Sequence, residues 1–102
     1  MKKFAIMGLL LLSTVAANAE ILQLTENPQG WKLENYIGGT VVAWYTGAQC
    51  PNGKVDFPDN ATNMDRDRFW SLVLTAKVAN KDVFVRYDNA SCKIASFGLP
   101  QE

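Results

Sequence analysis

The chain has 102 residues, with 10 basic and 10 acidic side chains and no histidine. The balanced charge lacks the basic excess that proteins use to bind nucleic-acid phosphates, so we expect no nucleic-acid partner. The absence of histidine removes the commonest general base, the Ser–His and Cys–His nucleophile pairs and every histidine-containing metal site. We therefore predict that the protein is not an enzyme.

The chain starts in the way that secretory signal peptides start. A positively charged MKK precedes an apolar run over residues 4–12, and a small-x-small cleavage pattern ends at Ala19. The apolar run is too short to cross a hydrocarbon core of about 30 Å, so we predict no membrane span. We predict a signal peptide over residues 1–19 with cleavage near Ala19, followed by a single domain over residues 20–102 that is periplasmic or secreted.

The hydrophobic spacing gives the order of the elements that follow. Residues 20–30 are a leader that suits either a short strand or a cover over a sheet edge. Two alternating runs, residues 31–37 and 40–46, flank Gly38-Gly39, which is a typical hairpin signal. A loop over residues 47–53 then leads to a short predicted strand over residues 54–57.

Two cysteines, Cys50 and Cys92, follow the predicted signal peptide. In an exported chain such a pair usually forms one disulfide, and no CxxC redox motif is present. The bridge would close a loop of about forty residues, which constrains the unfolded chain by about 4 kcal/mol on the chain-entropy model. We predict a structural disulfide between these two cysteines.

One amphipathic helix is predicted between Thr62 and Asn80. Thr62 suits the N-cap and Asp65 the third helical position, while Asn80 suits a left-handed terminator. Apolar residues spaced three and four apart form the inward face: Phe69, Leu72, Val73 and Ala76. Alternation then predicts a strand from Val83 to Tyr87, and a last strand covers residues 92–98.

This order of elements predicts a mainly β protein with one helix. The order β-β-β-α-β-β is that of the OB-fold, a five-stranded Greek-key barrel. In such a barrel the helix would close one end, and the disulfide would join the loop before the third strand to the start of the fifth. Simple α+β arrangements fit the same order.

A family resemblance supports the barrel. The helix ends with Ala76-Lys77, a tight turn follows at Asn80-Lys81, and then come the alternating strand and the cysteine strand, "CKIASF". This pattern, over about residues 40–99, resembles a group of short exported bacterial proteins similar to the B subunits of subtilase-cytotoxin-type toxins. The resemblance implies an OB-fold, a pentameric ring and binding of sugars on host glycoproteins.

Four aromatic residues are candidate ligand contacts: Trp31, Tyr36, Trp44 and Tyr45. In an OB-fold the face of the middle strands is the usual ligand platform, and aromatic rings there can stack on the apolar face of a sugar. Trp44 and Tyr45 are neighbours in a predicted strand, so we expect their side chains to point to opposite faces. The alternative is that these aromatics pack in the core or in a subunit interface.

No cofactor or metal site is predicted. The Asp- and Asn-rich stretch over residues 56–67 lacks the spacing of a calcium-binding loop, and caps and turns account for its side chains. The sequence therefore favours an exported, non-enzymatic binding module with glycans as the ligand class. The alternative is a periplasmic protein–protein interaction module, such as an enzyme inhibitor or an accessory protein, with residues 47–53 as its contact loop.

Overall fold

The computed structural model describes residues 19–101. These residues form six strands and one α-helix: β1 Ile21–Glu26, β2 Lys32–Asn35, β3 Val41–Trp44, β4 Val55–Asp56, α1 Asn63–Ala79, β5 Val83–Asp88 and β6 Ile94–Gly98. Two single-turn 3-10 helices, Pro28–Gly30 and Pro51–Gly53, lie in the connections. Residues 1–18 of the predicted signal peptide lie outside the described residues, so its cleavage stays a prediction. Within the described part, no helix combines the length and the apolar character that crossing a membrane requires.

The strands form two antiparallel sheets of three strands each. In one sheet β5 lies between β1 and β6, and in the other β3 lies between β2 and β4. A single parallel bridge pairs Asp56, at the end of β4, with Lys93, just before β6. The prediction of a mainly β protein with one helix is confirmed.

The described strands do not form the predicted closed five-stranded barrel. The leader forms a strand of its own, β1, which pairs with β5 along its whole length, from Ile21 opposite Asp88 to Glu26 opposite Val83. Meanwhile β4 has two residues, and Pro58 follows soon after with no backbone N–H to continue a ladder. The contact between β4 and the β6 segment is therefore limited to the one bridge, and the sheets stay separate.

Local capping interactions set the ends of α1 as the sequence predicts. The Thr62 hydroxyl accepts a hydrogen bond from the Asp65 backbone N–H at 3.1 Å, and the Asp65 carboxylate accepts one from the Thr62 N–H at 3.0 Å. Hydrogen bonds to the Asp65 carboxylate, first from the Thr62 backbone N–H and then from the Thr62 side chain, lower the pKa of the Asp65 carboxyl. Asn80 ends the helix in a left-handed conformation with φ of 57°.

The inward face of α1 packs into a core that both sheets share. Of the four predicted inward residues, Phe69, Val73 and Ala76 are buried, and Leu72 is partly buried against the core. Phe69 makes edge-to-face contacts with Phe57, which follows β4, and with Phe97 of β6, at centroid distances of 5.3 and 5.1 Å. This aromatic cluster joins the helix to one element of each sheet, and it fixes the position of one sheet relative to the other.

The predicted disulfide is present. Cys50 and Cys92 are bonded, with their Cα atoms 6.2 Å apart. Cys50 lies in the loop after β3, and Cys92 lies just before β6, so the bridge connects the two sheets covalently. It is a second link between the sheets, next to the parallel bridge at Asp56 and Lys93.

We predict that Phe69→Ala lowers the free energy of unfolding by about 3–5 kcal/mol, because it removes a fully buried ring and leaves a cavity. Leu74→Ala is the matched control on the same helix. The Leu74 side chain is 52% exposed, so its truncation should change stability by about 0.5 kcal/mol or less. Urea unfolding followed by circular dichroism measures both, and equal losses in the two variants would contradict the assigned core.

Candidate functional site

The outward side of the β2–β3–β4 sheet carries a mixed aromatic and charged surface. Lys32 of β2 pairs with Trp44 of β3, and Val42 pairs with Glu34 on one side and Asp56 on the other. Cross-strand partners share a face, so these side chains lie on one surface, while Ala43 between them is buried in the core. We call this surface the outer face: Lys32, Glu34, Tyr36, Trp44, Lys54 and Asp56. Val42 lies between Glu34 and Asp56 but is covered, at 1% exposure.

Trp44 lies at the end of β3, at one edge of the outer face, and its neighbours hold it. Its indole N–H donates to the Glu34 carboxylate at 2.9 Å. The ammonium nitrogens of Lys32 and Lys54 lie 5.9 and 5.3 Å from the centre of its ring. One hydrogen bond and two cation–π contacts therefore fix the orientation of this ring.

Tyr45 extends the aromatic surface instead of pointing away from it. The prediction that Trp44 and Tyr45 point to opposite faces is wrong: their ring centres are 6.3 Å apart and their planes are tilted by 41°. The reason is that β3 ends at Trp44 and Tyr45 takes a left-handed backbone conformation with φ of 62°, which ends the alternation. The Tyr45 side chain is 62% exposed.

A left-handed conformation at a bulky residue is costly, by about 1–3 kcal/mol, and persists only where the surroundings enforce it. Here the Tyr45 backbone N–H donates to the carbonyl of Asn52 at 2.8 Å, and that of Thr46 donates to Gly53 at 3.3 Å. Hydrogen bonds thus join the first and last residues of the loop after β3. The strained residue is the one that presents its ring to solvent.

The loop over residues 46–53, which we call the bridged loop, is fixed from inside. The Thr46 hydroxyl donates to the Gly53 carbonyl at 2.6 Å and accepts from the Ala48 N–H at 3.1 Å. Gly53 has φ of 61°, and a Cβ there would lie 2.2 Å from the Thr46 carbonyl oxygen. No other residue type fits that position without displacing the backbone.

The bridged loop is also fixed from the other sheet. The Gly47 N–H donates to the Glu26 carboxylate of β1 at 2.9 Å, and the Gln49 N–H donates to the Tyr87 hydroxyl of β5 at 2.8 Å. The disulfide of Cys50 adds a covalent anchor. Three anchors in four residues make the loop a rigid support for Tyr45 and Trp44.

Tyr36 lies at the edge of the outer face, next to the hairpin turn. The predicted Gly38-Gly39 hairpin is present: Tyr36 N–H donates to the Thr40 carbonyl at 2.8 Å, and Gly38 takes the positive φ of 74°. Partial desolvation and the nearby Glu34 carboxylate raise the pKa of the Tyr36 hydroxyl. Tyr36 also borders a cleft of about 540 Å³ between the hairpin and the start of α1.

The four candidate aromatics separate into two groups. Trp31 is 4% exposed; its indole N–H donates to the Glu26 carboxylate, and its carbonyl accepts from the Lys77 ammonium at 2.6 Å. This burial favours packing for Trp31. Trp44 and Tyr45 lie together at one end of the outer face, and Tyr36 lies near its hairpin end. All three are at least partly exposed, so a ligand could reach them.

The charged residues of the outer face were not among the predicted site residues. Lys32 and Glu34 alternate with Trp31 and Leu33, so the period-two pattern could have placed them beside Trp44 once the hairpin was assumed. The hydrogen bonds of Glu26 and Tyr87 to the bridged loop could not be predicted from local sequence patterns, because these residues belong to strands far away in sequence. Residues 19–101 hold no group of three or more acidic or cysteine side chains suited to a metal ion.

Comparisons with known proteins find nothing similar: no family model, no curated protein and no solved structure matches the chain. The resemblance to subtilase-cytotoxin-type B subunits therefore stays a prediction.

We predict that Tyr45→Asn leaves the free energy of unfolding unchanged or raises it by up to about 1 kcal/mol. Asparagine tolerates the left-handed conformation, and the exposed tyrosine ring contributes little burial. Gly53→Ala is the comparison in the same loop, and it should destabilise by more than about 1 kcal/mol because its Cβ meets the Thr46 backbone. Chemical denaturation measures the free energy of unfolding of both variants. A larger loss of that free energy for Tyr45→Asn than for Gly53→Ala would contradict backbone strain at Tyr45.

Proposed function

We propose that this protein is an exported, non-enzymatic binding module that binds carbohydrate on its outer face. The observation that carries the proposal is the pair of Trp44 and Tyr45, with one ring fixed among charged neighbours and the other 62% exposed. A strained backbone that exposes an aromatic ring has a stability cost, and such strain is concentrated at functional sites. The export itself rests on the signal peptide that the sequence predicts.

The chemistry of the outer face suits a sugar. A pyranose has a face of C–H groups that stacks on an aromatic ring, and its hydroxyls need hydrogen-bonding partners at the rim. Tyr45 offers the exposed ring, while Glu34, Lys32 and Lys54 offer acceptors and donors around Trp44. Because the bridged loop is already rigid, binding would order few additional groups, which reduces the entropic cost of association.

The arrangement of the elements supports an opened OB-fold as the architecture behind the site. The chain runs β2, β3, β4, α1, β5, β6, which is the OB-fold order with β1 added in front. The parallel bridge from Asp56 to Lys93 lies where the third and fifth strands of such a barrel would meet. On this interpretation the outer face corresponds to the usual ligand platform of the fold.

A second candidate is a protein–protein interaction module that uses the bridged loop. The loop is anchored at Gly47, Gln49 and Cys50, as contact loops of rigid inhibitors need to be. At the opposite end of β3, the hairpin tip exposes Ile37, which is 95% accessible. Light scattering of the protein without residues 1–19 separates the candidates, since a pentamer favours the toxin-like glycan binder and a monomer favours the inhibitor or accessory protein.

A glycan array probed with the same protein tests the proposal, and the best ligand is then titrated by isothermal titration calorimetry. We expect Trp44→Ala and Tyr45→Asn each to lower affinity about tenfold or more, because one aromatic stack contributes about 1.5 kcal/mol. Ile37→Ala is the control, since it removes an exposed side chain of the same hairpin and should leave the affinity unchanged. Binding to no glycan, or equal binding by all four proteins, would contradict a sugar site on the outer face.

A further inference from the structure

We infer that the cleft between the β2–β3 hairpin and the start of α1 binds a free α-amino acid in its zwitterionic form. This site is separate from the outer face, and its ligand goes beyond the proposed function. The cleft has a volume of about 540 Å³. An adjoining pocket of about 280 Å³ continues it, and the two share four lining residues: Asn35, Val41, Arg66 and Asp67. We call the cleft and this pocket together the hairpin cleft.

The hairpin cleft lies on the inner side of the β2–β3–β4 sheet. Asn35 pairs with Val41 across the hairpin, and the next pair is Glu34 with Val42. Because neighbouring residues of a strand point to opposite faces, Asn35 and Val41 lie on the side away from the outer face. They are also at the hairpin end of β3, whereas Trp44 is at its other end. A ligand in the hairpin cleft would therefore not contact the aromatic pair of the proposed sugar site.

Arg66 brings a positive charge with an unused donor to the hairpin cleft. One terminal nitrogen of its guanidinium donates to the Asn63 side chain at 3.2 Å, but its Nε is buried and has no hydrogen-bond partner. The nearby Asp65 carboxylate accepts the Thr62 backbone N–H, and within residues 19–101 no acidic side chain forms an ion pair with Arg66. A buried donor without an acceptor is unfavourable, and a carboxylate is the acceptor that fits a guanidinium best. The ligand should therefore supply a carboxylate.

Asp67 brings a negative charge to the same cleft. Adjacent residues of a helix do not face each other, so Asp67 does not neutralise Arg66, and no ion pair joins them in the described part of the chain. A simple anion would leave the Asp67 carboxylate without a counter-charge, and a simple cation would leave the Arg66 guanidinium without one. A ligand that carries an ammonium group close to its carboxylate compensates both charges, and an α-amino acid has this arrangement.

The rest of the lining suits the side chain of an apolar amino acid. The Asn35 amide can donate and accept beside the two charges. Val41 and Trp70 form the apolar end of the smaller pocket, where Trp70 is half-buried against the core. The volume of the cleft also falls in the range of small-molecule sites, about 300–1,000 Å³. We therefore expect apolar and aromatic amino acids to bind more tightly than glycine.

Ligands that each lack one charge test the inference by isothermal titration calorimetry, with the protein that is used for the glycan array. The probes are L-phenylalanine and L-leucine, their deaminated acids 3-phenylpropionate and 4-methylpentanoate, and their decarboxylated amines 2-phenylethylamine and 3-methylbutylamine. We expect at least one of the two amino acids to bind, and both of its analogues to bind about tenfold more weakly or worse, because each analogue leaves one charge of the cleft uncompensated.

Substitutions connect that binding to the two charged residues. Arg66→Met and Asp67→Asn should each lower the affinity for the amino acid about tenfold or more. Arg68→Gln, on the exposed side of the same helix, and Asp82→Asn, in the exposed turn after it, are the matched controls and should leave the affinity unchanged. Trp44→Ala should also leave it unchanged, because that ring lies at the far end of β3.

The melting temperature of the unliganded protein separates a ligand-binding role of Arg66 from a structural one. Arg66→Met removes the buried donor that has no partner and keeps an apolar stem of similar length, so the melting temperature should be unchanged or higher. A marked fall in the melting temperature would show that Arg66 stabilises the fold, and it would overturn the assignment of this residue to a ligand.

Three further results would overturn the inference: neither amino acid binds, the singly charged analogues bind as tightly as the amino acid, or the control variants lose as much affinity as Arg66→Met and Asp67→Asn. None of these results bears on the proposed sugar site, which depends on Trp44 and Tyr45. Conversely, a glycan array without any bound glycan would leave the amino-acid site standing.

Discussion

The disulfide between Cys50 and Cys92 is the constraint on which the rest of the structure depends. In the described residues the two sheets share one backbone bridge, at Asp56 and Lys93. They are also joined by core side chains packed under α1 and by hydrogen bonds from the bridged loop to Glu26 and Tyr87. The disulfide joins the loop after β3 to the start of β6. For a domain of this size, a cross-link that contributes about 4 kcal/mol is comparable to the whole net stability. It also determines where the bridged loop lies.

The candidate site follows from that constraint. The bridged loop is tied to β1, to β5 and to Cys92. It therefore holds Tyr45 in a left-handed backbone conformation, which is unfavourable for tyrosine. The strand ends, the alternation stops, and the rings of Trp44 and Tyr45 come to lie side by side. The lysines of β2 and of the segment before β4 then border that pair. Fold and site are thus two consequences of the same anchoring.

Features with local causes could be predicted from the sequence, and features with distant causes could not. The helix ends at Thr62 and Asn80 depend on side chains within four residues, and the disulfide follows from there being two cysteines. By contrast, the pairing of β1 with β5 joins strands about sixty residues apart, and nothing in the leader indicates its partner. The strained Tyr45 depends on Asn52 and Gly53, which a strand pattern ignores. The burial of Trp31 likewise depends on Glu26 and Lys77.

Amide hydrogen exchange, measured by NMR on the oxidised and the reduced protein, tests most directly whether the disulfide and its companion hydrogen bonds hold the bridged loop. In the oxidised protein the amides of Gly47 and Gln49 should be protected as sheet amides are, because each donates to a side chain of the other sheet. Reduction should raise their exchange rates more than that of Val73 in α1. Unprotected loop amides in the oxidised protein, or loop protection that is unchanged by reduction, would contradict the account.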